Sequence, residues 1–202
     1  MAAGRSGDSK EGGREAPPPP TQVRQDEDSL RSLSVAYATA VDGRDGVALA
    51  SLFEVDGALV VPDYPSDLRP VIVRAGREAL ERIPDGLRRY DRTFHAVSNQ
   101  SYVVDGDRAR GEVLCMAHHL SATGAYGSSA PADGPAHRPA DRPAGIDAVW
   151  FIRYLDAYHR SDSGWKFVRR ELHLQWVEER PVKVLGAAGA AGAVGRAPSD
   201  QP

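Results

Sequence analysis

His95, with a second histidine on the segment that returns to it, is the side chain of this 202-residue chain placed to move a proton. An imidazole titrates nearest to neutral pH, and a carboxylate on one ring nitrogen fixes its tautomer and favours its protonated form. Such a pair removes a proton next to a carbonyl, provided that a donor such as a tyrosine hydroxyl meets the developing enolate oxygen. His95 opens an extended segment, Thr93 to Val104, and the segment that returns from Arg108 to Thr123 carries His118 and His119. The turn between them, Asp105-Gly106-Asp107, decides what His95 faces. A two-residue loop of Asp105-Gly106 sets it opposite Met116, one of Gly106-Asp107 opposite His118, and a three-residue turn with Gly106 left-handed opposite Ala117. In the returning segment Arg108, Arg110 and Glu112 alternate with Ala109, Gly111 and Val113, and the apolar face runs on through Cys115 and Ala117 to His119. His119 rather than His118 is therefore expected beside His95, with Asn99 as a further polar group; either can hold a leaving hydroxyl.

Asp42 and Tyr37 stand at the end of a predicted helix. Leu30, Leu33, Tyr37, Ala40 and Val41 recur at helical spacing from Asp26 onward, which predicts a helix to about Val41. Asp26, Glu27 and Asp28 suit its N-terminus. Five residues separate Tyr37 from Asp42, about 140° around an ideal helix, so Tyr37 joins the apolar face and Asp42 its margin. A carboxylate is the unfavourable charge for a helix C-terminus, which points to a role other than stabilising the helix.

Other chemistries lack their residues. No HxxxH or HxH spacing exists and Cys115 has no partner cysteine, so no metal site is expected; its apolar setting predicts a buried, inert thiol. No Gly-x-Ser-x-Gly elbow and no glycine-rich phosphate loop after a strand are present. Lys and Arg number 25 against 28 Asp and Glu, a net charge of -3, so neither nucleic acid nor an anionic membrane is an expected partner. No apolar run approaches the ~18 residues of a membrane span, and the charged N-terminus is not read as a secretory signal, which gives a cytoplasmic protein.

Composition divides the chain into a Gly-, Pro- and charge-rich tail at 1–25, a folded unit at 26–182 and a Gly/Ala-rich tail at 183–202, with both tails expected to be disordered. Within the unit, Val47 to Phe53 reads as a second short helix, Ala58 to Val61 and Val71 to Arg74 as short strands around a loop, and Gly76 to Ile83 as a helix. Four long strands follow, Thr93 to Val104, Arg108 to Thr123, Ile146 to Arg160 and Trp165 to Val177, with hairpin turns at Asp105-Gly106-Asp107 and Asp162-Ser163-Gly164. A Pro/Ala/Gly-rich insertion, 124–145, separates the second and third of these, as a disordered segment or a lid. The expected class is α+β, with helices on one face of a curved antiparallel sheet that leaves a cone open at one end. Trp150, Phe151, Ile152 and Tyr154 place apolar side chains on both faces of one strand, so self-association through the outer face is expected.

These motifs, in this order, resemble the SnoaL-like branch of the nuclear transport factor 2-like superfamily, which includes scytalone dehydratase, lindane dehydrochlorinase, a bile acid dehydratase and polyketide cyclases. The resemblance covers roughly 26–180 and rests on five features: Tyr37-x4-Asp42, Ala48-Leu49-Ala50-Ser51-Leu52-Phe53 before Asp56-Gly57, His95-x3-Asn99, Tyr154-x-Asp156-x-Tyr158 and Gly164-Trp165-x-Phe167-x-x-Arg170. It implies a cone-shaped barrel wrapped around the N-terminal helices, an Asp42–His95 dyad with Tyr37 beside it, no metal or organic cofactor, and a homodimer. It also implies a pocket arginine from the last strand, Arg170 or, with the opposite pleat, Arg169. The insertion Tyr126–Gly145 departs from shorter members. The activity implied is a dehydratase, isomerase or cyclase of a polycyclic or aromatic small molecule; the alternative is a non-catalytic ligand-binding or dimerisation module using the same cone.

Overall fold

The computed structural model describes residues 20–121 and 145–182. The expectations for the C-terminal tail, for most of the N-terminal tail and for the insertion lie outside the described residues. Helix α1, Pro20–Asp42, begins six residues earlier than its apolar spacing announces. Pro20 opens the first turn, where an N–H has no intrahelical acceptor and its absence costs nothing. The acidic run is consequently not in the first turn. Asp26 is instead 3% exposed and takes bonds from Trp165 Nε1 at 3.1 Å and Arg160 Nη2 at 2.8 Å, tying the helix to the far hairpin of the sheet.

After α1 come α2 (Gly46–Ser51), β1 (Phe53–Asp63), β2 (Asp67–Ala75), α3 (Arg77–Glu81), a 3-10 turn at Ile83–Leu87, and then β3 (Arg92–Asp105), β4 (Arg108–Ser121), β5 (Gly145–Ser161) and β6 (Gly164–Val182). The six strands form one curved sheet in the order β2-β1-β6-β5-β4-β3, which does not close into a barrel. Every neighbouring pair is antiparallel except β1 with β6, which run parallel. β1 and β2 are longer than the short strands expected there, because each finds a full-length partner in the sheet and most of the expected loop at 62–70 becomes their hairpin. Both expected tight turns are present, with Gly106 and Gly164 at positive φ of 57° and 101°. Among the described residues no helix is long and apolar enough to cross a membrane.

The concave face holds the core. Leu30, Tyr37 and Val41 of α1 meet Phe53, Val113, Cys115, Tyr154, Tyr158 and Phe167 from the sheet, all nearly or wholly buried. Burial pushes the Cys115 thiol up to about 12, so it stays protonated and inert.

Candidate active site

Strand β3 changes phase in its middle, and that change positions His95. Near the turn, Asp105 pairs with Arg108, the register of a two-residue loop, Gly106-Asp107. That register alone would bring His95 opposite His118. Between Val97 and Gln100 the ladder slips by one residue, so Ser98 and Asn99 together face Leu114, and His95 lands opposite Ala117. The slip matches the burial pattern: Thr93, His95 and Val97 turn inward on odd numbers, Gln100, Tyr102 and Val104 on even ones, and Ser98 and Asn99 are both exposed.

On the inner face the end of α1 meets β3. Asp42 Oδ1 accepts from His95 Nδ1 at 2.7 Å and from Thr93 Oγ1 at 2.8 Å, and Oδ2 accepts from the His95 backbone N–H at 2.8 Å. Burial raises the Asp42 pKa, but the bonds and charge of His95 and the bond from Thr93 outweigh it and hold the carboxyl below its ordinary value. An ionised carboxylate only accepts, so His95 donates from Nδ1, and Nε2 is the ring nitrogen left to exchange a proton. The Thr93 hydroxyl is aimed by Arg44, whose Nη1 donates to it at 2.6 Å and to Val41 O at 3.1 Å, while Nη2 donates to Leu87 O at 3.2 Å. Arg44 sits at φ 58°, the left-handed conformation that ends a helix, with Asp45 N bonded back to Ala40 O.

His95 lines a cavity of about 620 Å³, together with Tyr37, His119, Trp150 and Tyr154. His119 donates from Nδ1 to Ala148 O at 3.1 Å, and its ring lies 4.7 Å from Tyr90, 5.1 Å from Trp150 and 6.1 Å from His95. Burial, then the charge of His95, lowers its pKa from 6.5 to about 4, so at neutral pH it is an uncharged ring whose Nε2 accepts hydrogen bonds. Tyr37 is 4% exposed, and burial raises its hydroxyl to about 12, which keeps it a donor.

The model of the SnoaL-like domain family matches residues 22–171. The chain belongs to that family. Among curated proteins no sequence match is found for this SnoaL-like protein. Its fold is shared with a protein of unknown function from Mycobacterium tuberculosis, at 22% identity and a TM-score of 0.57 over 85% of each chain. A scytalone dehydratase-like protein from Novosphingobium aromaticivorans is similar at 21% identity and a TM-score of 0.57, over 84% of this chain and 98% of that one. A type 3 hexachlorocyclohexane dehydrochlorinase from Novosphingobium barchaimii matches at 14% identity and a TM-score of 0.59, over 79% and 93% of the two chains.

The structure of this SnoaL-like protein thus brings Asp42, His95, Tyr37 and His119 together, and it removes two expected members. Arg170 does not line the cavity: it is 1% exposed and forms an ion pair with Asp156, Nε to Oδ1 and Nη2 to Oδ2 both at 3.0 Å. Its guanidinium lies 4.3 Å from the centre of the Tyr37 ring and 4.1 Å from that of Tyr154, a cationic floor beneath the tyrosines. Arg169 pairs with Glu171. Asn99 is exposed within the bulge, because the slip in register turns it out. His118, on the other face, bonds Asp147 at 2.7 Å. Sequence reasoning missed Thr93 and Arg44. Thr93 had a signal, since it lies on the same pleat face as His95; Arg44 had none, because its direction comes from the chain reversal after α1.

Proposed function

We propose that this SnoaL-like protein is a cofactor-independent dehydratase, isomerase or cyclase of a polycyclic or aromatic small molecule, with Asp42 and His95 as its acid–base dyad. The observation that carries this reading is the 2.7 Å contact of Asp42 with His95 Nδ1 on the wall of a 620 Å³ cavity, because it fixes the ring and leaves Nε2 to act as the base. His95 takes a proton from carbon next to a carbonyl; Asp42 stabilises the imidazolium; Tyr37 donates to the enolate oxygen. The same proton then returns, to a departing hydroxyl that leaves as water or to another carbon in an isomerisation, so nothing beyond the substrate is consumed. His119, neutral and accepting at Nε2, holds a substrate hydroxyl. Structural neighbours named for elimination reactions support this class of chemistry.

The first prediction is the test. His95→Ala and Asp42→Asn each lower turnover about a hundredfold or more, while substrate affinity changes far less. The double variant falls little further than the worse single one, since the two act as a unit. The assay is mass spectrometry of host metabolites incubated with the protein, followed by kinetics on any that lose water or rearrange. Singles that retain full activity per folded molecule overturn the dyad and leave the ligand-binding alternative.

A further inference from the structure

Three guanidiniums, Arg74, Arg82 and Arg89, line the cavity against one carboxylate, Asp63. This local excess runs against the chain as a whole, whose carboxylates outnumber its Lys and Arg by 28 to 25. Arg74 and Arg89 are both exposed and both lining, which places them where the cavity meets solvent. Arg82 is engaged by Glu78 at 2.6 Å, whereas Arg74 has no ion pair among the described residues. Arg89 lies over the Tyr90 ring at 4.9 Å, Tyr90 packs on His119, and His119 packs on His95. A run of ring contacts thus leads from Arg89 through Tyr90 and His119 to the proposed base. The Arg89 charge reaches inward, contributing to the lowered pKa of His119. Tyr64 and Trp150, in contact at 5.0 Å, add further aromatic surface to the cavity.

We propose that the substrate is an organic acid: a ring system that packs on Tyr64, Tyr90 and Trp150, with a carboxylate docked on Arg74 and Arg89 at the mouth and the reacting carbon at the opposite end, near His95. The proposal rests on the reading of this cavity as the substrate site, and it deepens it by naming the charge the substrate carries. Guanidinium forks match carboxylates in geometry, and at an exposed rim such a pair is modest and sensitive to salt. The arginines are specificity-determining groups here, acting on binding and on which end of the molecule enters first.

The test is calorimetric titration of the full-length protein with 2-naphthoate and with 2-acetylnaphthalene, a neutral ketone on the same ring system. The acid should bind about tenfold more tightly than the ketone at low salt, the effect of two rim ion pairs, and about 0.5 M NaCl should erode the difference. Arg74→Gln with Arg89→Gln should bring the acid to parity and leave the ketone unchanged. His95→Ala should keep the preference, so loss of the dyad reading, seen in turnover, and loss of the anion site, seen in binding, are separate results. Equal affinity for acid and ketone in the wild type, a preference that survives the double arginine variant, or no binding of the acid at millimolar concentration each overturns the proposal.

Discussion

Asp42 illustrates how a residue that is poor for its own helix is held by another element. Its carboxylate accepts three donors from β3, and the lowered pKa means that this part of the stability is complete above the ordinary carboxylate range and is lost as pH falls through the depressed value. His119 has the same pH dependence for the opposite reason. Its folded pKa, about 4, lies below its ordinary 6.5, so in acid the unfolded chain binds a proton that the folded chain refuses. Stability therefore declines as pH drops from 6.5 to 4. At pH 4.5 the share due to His119 is about 2–3 kcal/mol. His119→Gln, which can still donate toward Ala148 O, should remove that share, and urea unfolding at pH 7 and pH 4.5 measures it. An equal acid loss in wild type and variant would show that His119 is not the group responsible. The inward face of His119 was legible from simple alternation along β4. The fate of Arg170 was not, because a buried arginine and a pocket arginine have the same spacing and differ only in whether a carboxylate such as Asp156 lies within reach.

At the scale of elements, the long strands, both tight turns and the apolar face of α1 could be read because each carries its own periodicity. The bulge at Ser98-Asn99 could not be placed by turn chemistry alone; its trace was the switch of inward residues from odd to even numbers along β3, and overlooking that switch put Asn99 in the site. The parallel pairing of β1 with β6 left no local trace, since it joins segments more than a hundred residues apart. The cavity wall built from α3 and the following 3-10 turn depends on one close approach. A Cβ added to Gly46 at the start of α2 would lie 1.9 Å from the carbonyl oxygen of Glu81 at the end of α3, and backbone cannot swing aside as a side chain can. Gly46→Ala should therefore cost about 2–3 kcal/mol despite the better helix propensity of alanine, and it should weaken ligand binding as the wall carrying Ala79, Arg82 and Ile83 moves. Thermal unfolding and a probe titration report the two effects. A midpoint unchanged or raised would mean that α3 is free to shift without consequence.

At the scale of the whole molecule, the two faces of the sheet have different tasks, and β5 shows the division. Of the four residues expected to place apolar side chains on both faces, Trp150, Ile152 and Tyr154 face inward and line the cavity. Phe151 alone of that group faces out, where it stacks on Trp176 of β6 at 4.3 Å and pairs across the ladder with Met116 of β4. Trp176 is 50% exposed and Met116 39%, with Leu155 and Val168 exposed farther along the same strands. An apolar row across three strands is more than a sheet facing water ordinarily displays, and burying it against a second copy removes that surface at about 25 cal/mol for each Å². A homodimer joined through this outer face is accordingly the expected assembly. Because the row and the cavity lie on opposite faces, the contact can be broken without entering the site. Sedimentation equilibrium at micromolar concentration should show a dimer for the wild type and a monomer for Trp176→Glu, whose carboxylate would be buried without a partner at the interface. The variant monomer should keep its fold and its affinity for cavity ligands. A monomeric wild type, or a Trp176→Glu protein that still dimerises, would show that the outer row meets solvent and that assembly uses another surface.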